Sequence, residues 1–109
     1  MEEINASEKG YEWVKDPKGY FLIRIDLKKK VIEVGFIEGT GKKPVQENIK
    51  YKIVGKDPKI IRRQIFKMGL ISRIDHALSI GEELQKAKVA LDLGIKYVQD
   101  DLLNYNIKN

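Results

Sequence analysis

The hydrophobic patterning of this 109-residue chain predicts an α+β fold, a two-layer sandwich of a mainly antiparallel sheet covered on one face by a short and a long helix. Three observations carry that expectation. Stretches of period-two alternation come first, separated by turn-forming residues, as in a three-stranded meander. Two segments with apolar residues at helical spacing follow, one short and one long. A last apolar alternation, Ile95 to Gln99, closes the order β-β-β-α-α-β with a C-terminal strand. The length suits one domain spanning 1–109, with a core from about 11 to 103 between a lead-in and a tail.

Met1 to Ser7 has no periodic pattern and reads as a lead-in; Tyr11, Trp13 and Val14 are the first residues able to anchor to a core, with Trp13 expected at an edge. Asp16, Pro17, Lys18 and Gly19 form a turn, because Pro17 presets one backbone angle and Gly19 tolerates positive φ. From Tyr20 to Leu27, Phe21, Ile23 and Ile25 alternate with Leu22, Arg24 and Asp26, a half-buried strand. After a hairpin loop at Lys28 to Lys30, Ile32, Val34 and Phe36 alternate with Glu33, Gly35 and Ile37. Gly39 to Pro44 is a loop, and Asn48 to Val54 gives a third strand with Ile49, Tyr51 and Ile53 inward and Lys50 and Lys52 outward.

Asp57 is the expected N-cap of the short helix, with Pro58 at its first position and Gly69 as its stop; Ile61, Ile65 and Met68 form its apolar face. The long helix is bracketed by a capping box of Ser72 with Asp75 and by Gly94, a residue suited to a left-handed C-terminal cap. Between them Ala77, Ile80, Leu84, Ala87 and Leu91 line one side of a helix of roughly 21 residues, about 30 Å long.

Composition narrows the function classes. At 42% hydrophobic and 34% charged, the chain has the balance of a soluble globular protein. Without cysteine there is no disulfide framework or thiolate metal site, and a single histidine makes no multi-histidine centre, so no metal is expected. No apolar run approaches a bilayer span and the acidic start MEEINASEKG is the wrong chemistry for a signal peptide, so a cytoplasmic protein is expected. The net charge of +5 favours anionic partners weakly, and abundant Lys, Glu and Ile fits a thermostable protein with a charged surface.

Few motifs carry chemistry by themselves. EGTGKKP precedes a strand rather than a helix and so lacks the context of a phosphate-cradling loop. Lys28 to Lys30, Lys50 and Lys52 lack interleaved aromatics, which argues against a nucleic-acid partner, and they read as a solvated sheet edge. Gly81 sits inside the long helix, where it costs about 1 kcal/mol relative to alanine, so either close packing or room for a flat ligand must compensate. His76, Ile80 and Glu83 share a helical stripe, with Asp75, Ser79, Glu82 and Lys86 on the more exposed side. No nucleophile has an evident base partner, so an enzyme is the least favoured reading.

DHALSIGEELQKAKVALDLGIKYVQDD, the preceding KMGLIS and the early DPKGYFLIRID together resemble a small archaeal and bacterial pterin-binding domain family, formerly a domain of unknown function. That domain occurs alone or fused to dihydropteroate-synthase-like proteins, to the A subunit of tetrahydromethanopterin S-methyltransferase and to thymidylate-synthase-related proteins. The resemblance spans roughly residues 11 to 103 and is most specific from His76 to Leu91 and from Tyr97 to Asp100; the chain departs from the family pattern at Ser79, where an aromatic is common, and at Lys88, where an acid is common. It implies a non-catalytic module for a tetrahydromethanopterin- or folate-like pterin, working beside a one-carbon-transfer enzyme. The amino-pyrimidinone edge of a pterin offers two adjacent N–H donors that one carboxylate accepts together. Glu83, then Asp100, are the candidates for that carboxylate; His76 and Gln99 would meet the remaining ring edge, Gly81 would admit the ring, and Lys86 would meet an anionic tail. A structural or protein-interaction domain docking on a larger enzyme through the long helix and Gly81, and a weak RNA-binding module, are the competing classes; a homo-oligomer is compatible with the sequence.

Overall fold

A computed structural model of the chain describes residues 2–5, 19–39, 45–71, 74–99 and 103–105. It is an α+β fold with elements β1 (Glu2–Asn5), β2 (Gly19–Asp26), β3 (Val31–Glu38), β4 (Tyr51–Gly55), α1 (Pro58–Lys67), α2 (Ile74–Leu93) and β5 (Leu103–Tyr105). The sheet has the order β1-β4-β3-β2-β5, in which β2, β3 and β4 are the expected antiparallel meander. Two edges differ from the sequence reading. The N-terminal lead-in contains a strand, β1, paired in parallel with β4. Ile95 to Gln99 is not a strand; β5 instead follows at Leu103–Tyr105 and pairs antiparallel with β2. Trp13, Ser72, the 40–44 part of the loop and Asp100 lie outside the described residues.

Register explains how the core is divided. Phe21 opposes Phe36, Ile23 opposes Val34 and Ile25 opposes Ile32, while Val34 opposes Ile53, so these side chains share one sheet face. They form a single cluster with Ile61 and Ile65 of α1, Met68 at its C-cap, and Ile80, Leu84 and Ala87 of α2, which places both helices on that face as expected. Phe21 and Phe36 meet as a tilted ring pair with centroids 5.0 Å apart.

Helix ends follow the local chemistry of the sequence. Asp57 accepts from Lys59 N at 2.9 Å with Pro58 next to it. Gly69 has φ 72° and Gly94 φ 68°. After each, a backbone N–H reaches back to close the helix, Leu70 N to Ile65 O at 3.2 Å and Ile95 N to Ala90 O at 3.0 Å. In the β2–β3 turn, Asp26 Oδ1 accepts from Lys28 N and Lys29 N, both at 3.0 Å, and Lys30 takes a positive φ of 56°.

The third strand begins later than its alternation indicates, because Gln46–Asn48 is a 3-10 turn and β4 starts at Tyr51. That turn folds Ile49 onto the sheet face opposite the helices, where it lies against Gly35. Lys50 is exposed as expected, but Lys52 is not on a solvated edge. Lys50 binds Glu38 and lies 5.3 Å from the Tyr51 ring centroid, while Lys52 is 14% exposed beside Glu33, because β1 covers the outer side of β4. Glu33, read as the polar side of a half-buried strand, is itself buried: β3 is the middle strand and is enclosed on both faces.

Candidate functional site

The polar residues of α2 separate onto two flanks. On the flank facing the returning chain, Glu83 is 9% exposed and holds two partners: the Tyr97 hydroxyl donates to Oε1 at 2.6 Å and Lys86 Nζ to Oε2 at 3.1 Å. Just beyond, the Gln99 side chain acts as a strand residue would. Its Oε1 accepts from Ile23 N at 2.8 Å and its Nε2 donates to Phe21 O at 3.3 Å, continuing along β2 from where β5 pairs. His76 is half-buried on the same flank by helical spacing. Glu83 and Gln99 thus tie the segment after α2 to the helix and to the sheet.

Gly81 is on the other flank. A Cβ there would come within 2.9 Å of Arg62 Nη1, so the glycine lets the Arg62 side chain of α1 pass close to α2. The structure therefore brings His76, Glu83, Lys86 and Gln99 to one side and does not bring Gly81 to them.

A second constellation lies on the sheet face away from the helices. Leu22, Gly35 and Lys52 are register partners across β2, β3 and β4, and Arg24 and Glu33 form the next row. Beside them is a cavity of about 210 Å³, lined also by Gln46 of the 3-10 turn and by Ile49 just after it. Arg24 Nε lies 2.5 Å from Glu33 Oε1, and Lys52 Nζ lies 3.4 Å from Glu33 Oε2 and 3.9 Å from a Glu3 oxygen. With its amide turned as the network requires, Gln46 accepts from Arg24 Nη1 and Nη2 at 3.0 and 3.1 Å. Burying a carboxylate costs desolvation that hydrogen-bonded cationic partners of this kind offset.

Sequence reasoning read Lys52 outward as observed, but read Ile49 inward with Tyr51 and Ile53, whereas the 3-10 turn before it carries it to the opposite face, and it did not single out this constellation. The signal was present in Gly35, a glycine inside a strand, which marks a place where another group approaches the backbone closely. That group is Ile49, whose Cδ1 would lie 2.6 Å from a Cβ at this position.

A third depression, of about 470 Å³, is lined by Lys30, Lys56 and Lys88 at the carboxyl end of α2. Lys88 is paired there with Asp92 at 2.9 Å, and the helix end adds negative potential. Among the described residues no group of three or more His, Asp or Glu side chains is placed to hold a metal, and no helix is long and apolar enough to cross a membrane.

The profile of the PterinBD-DUF4346 family matches residues 15–100 of the chain, which covers both constellations apart from Glu3. The chain belongs to this family. It is also 41% identical over 83 residues to uncharacterized protein MJ0107 of Methanocaldococcus jannaschii, a match that covers 76% of this chain and 15% of that protein. The chain thus spans a small part of the length of that relative. No solved structure matches it.

Proposed function

We propose that this domain is a non-catalytic pterin-binding module, holding a tetrahydromethanopterin- or folate-like pterin for a one-carbon-transfer enzyme. The observation that carries the reading is membership of the PterinBD-DUF4346 family across residues 15–100. A buried carboxylate beside a cavity of about 210 Å³ supports it, since pterin recognition calls for an acceptor pair in a partly dry site. The size of the M. jannaschii relative, of which the match covers 15%, fits a module built into larger proteins.

The test is a titration of pterin fluorescence against the wild-type chain and Glu83→Gln. Saturable quenching by the wild type is expected. Its absence with pterin, 6-hydroxymethylpterin and folate alike removes the binding reading. A loss of affinity in Glu83→Gln, with stability kept, assigns the pterin edge to the α2 carboxylate.

A second reading, docking on a larger enzyme through α2, is favoured by the apolar residues Ile74, Leu78, Val89 and Leu93, which are exposed along the side of the helix away from the core. Co-purification with a larger enzyme that Leu78→Lys abolishes is the outcome this reading requires.

A further inference from the structure

We infer that the pterin ring is read not by the α2 flank but by the opposite face of the sheet, in the cavity over Gly35, with Glu33 and Lys52 as the recognising pair. The inference rests on the pterin-binding reading and names the site for it. Along the amino-pyrimidinone edge a pterin presents, in order, a carbonyl acceptor at position 4, an N–H donor at position 3 and an amino donor at position 2. The complementary protein row is donor, acceptor, acceptor. Lys52 Nζ, Glu33 Oε2 and Glu33 Oε1 form that row, because Lys52 lies 3.4 Å from Oε2 and Arg24 holds the far oxygen, Oε1, at 2.5 Å.

An ionised carboxylate has about four acceptor directions, so each oxygen can keep its cation and still accept one ligand N–H. Arg24 fixes the carboxylate in place, and Gln46 in turn fixes the guanidinium. This is the kind of bracing that makes a polar site selective rather than merely charged.

The apolar lining fits the same ligand. Leu22 and Ile49 border the cavity, offering hydrocarbon to the faces of a flat ring, and the absence of a side chain at Gly35 lets Ile49 lie low on the sheet. The volume of about 210 Å³ is below the roughly 300–1,000 Å³ of sites that enclose drug-sized ligands. It suits one fused bicyclic ring with the rest of a coenzyme outside. At the α2 flank both Glu83 oxygens are likewise engaged, by Tyr97 and Lys86; what recommends Glu33 is the apolar-walled cavity that its carboxylate borders.

The ligand-side probe is lumazine, which carries an oxygen where pterin carries the 2-amino group and so presents an acceptor to Glu33. Wild type should bind pterin at least about tenfold more tightly than lumazine, the range for a charge-assisted contact replaced by a mismatch. Glu33→Gln should lose about tenfold or more of pterin affinity, and with it most of the preference over lumazine. Leu22→Trp, which fills the cavity without touching the charges, should abolish binding of both. Thermal unfolding of each variant accompanies the titrations; should Glu33→Gln not fold, Leu22→Trp and the wild-type pattern of amide shifts at Gly35 and Lys52 on adding pterin decide the matter. Pterin bound equally by wild type, Glu33→Gln and Leu22→Trp overturns this site while leaving pterin binding intact. No pterin binding by the wild type overturns the pterin reading itself.

Discussion

Removing the Tyr97 hydroxyl is the most direct measure of what Glu83 does. Tyr97 packs against the core cluster and donates to a carboxylate that is 9% exposed, so Tyr97→Phe keeps the ring contacts and deletes one hydrogen bond to a charged acceptor. Such a bond contributes about 1.5–3 kcal/mol. Because Tyr97 is only half-buried, the lower end applies, about 1.5 kcal/mol, which in a domain of this size lowers the melting temperature by about 6 °C or more. Lys86 still holds the second oxygen at 3.1 Å, so Glu83 keeps one partner and the fold survives. Urea and thermal unfolding followed by circular dichroism give the loss directly. A double-mutant cycle with Glu83→Gln should return a coupling of at least about 0.5 kcal/mol, since the two residues touch. If Tyr97→Phe lies within about 0.5 kcal/mol of the wild type, the tie between α2 and the returning chain is not a structural one. Pterin titration of the same variants completes the separation: a bracing carboxylate changes stability and leaves affinity alone, whereas a ligand-reading one does the reverse.

Other substitutions probe single features. Gly81→Ala should be neutral or stabilising by up to about 1 kcal/mol, because the helix gains propensity and only the flexible tip of Arg62 must move; loss of pterin affinity with stability kept would instead place the ring at Gly81. Gln64 is fully buried in α1 and neither side-chain polar atom has a hydrogen-bond partner among the described residues, so Gln64→Met should raise stability by about 1–3 kcal/mol in denaturant unfolding. A decrease would mean that the amide is satisfied in solution. Asp26 has its carboxyl pKa lowered by the backbone N–H of Lys29, against a smaller opposing effect of desolvation and with further help from Lys28 N and both lysine charges. A depressed pKa stabilises the folded state above the ordinary carboxylate range, and that contribution fades as pH falls through the folded value. Asp26→Asn should therefore flatten the acid limb of the stability profile between those two values, and an unchanged limb would count against the turn contributing.

The parts of the fold that were legible in the sequence are those set by local chemistry. Asp57–Pro58, Gly69 and Gly94 fix helix ends through a cap or a left-handed residue, and each does so within a few residues of itself. Phe21, Ile23 and Ile25 against Ile32, Val34 and Phe36 fix which sheet face carries the helices. Long-range pairing was not legible. Glu2–Asn5 has no alternation to advertise a strand, and it pairs with β4, whose own start is masked by a 3-10 turn that resembles strand in sequence. Ile95 to Gln99 alternates like a strand, yet there the Gln99 amide, rather than a backbone, meets the hydrogen-bonding groups of Phe21 and Ile23. An alternating pattern reports which side chains point inward and is silent on what satisfies the backbone.

The same limit accounts for the choice between the two carboxylates. Glu83 stood out in the sequence because it lies on the helix that carries the family resemblance, and spacing along a helix is readable from one element alone. Glu33 draws its character from three strands and a turn: Arg24 on β2, Lys52 on β4, Gly35 on its own strand and Gln46 beyond the next loop. Arg24 is 55% exposed, but burying Glu33 with Lys52 beside it is seldom a gain in stability, because desolvating the ions cancels much of their mutual attraction, and a well-packed apolar set of similar volume often does as well or better. The row lies on the face the helices leave uncovered, where Leu22 and Ile49 supply apolar walls and no core packing requires Lys52 to turn inward. A partly buried charged row that borders a cavity of ring size is the arrangement the proposed pterin site calls for.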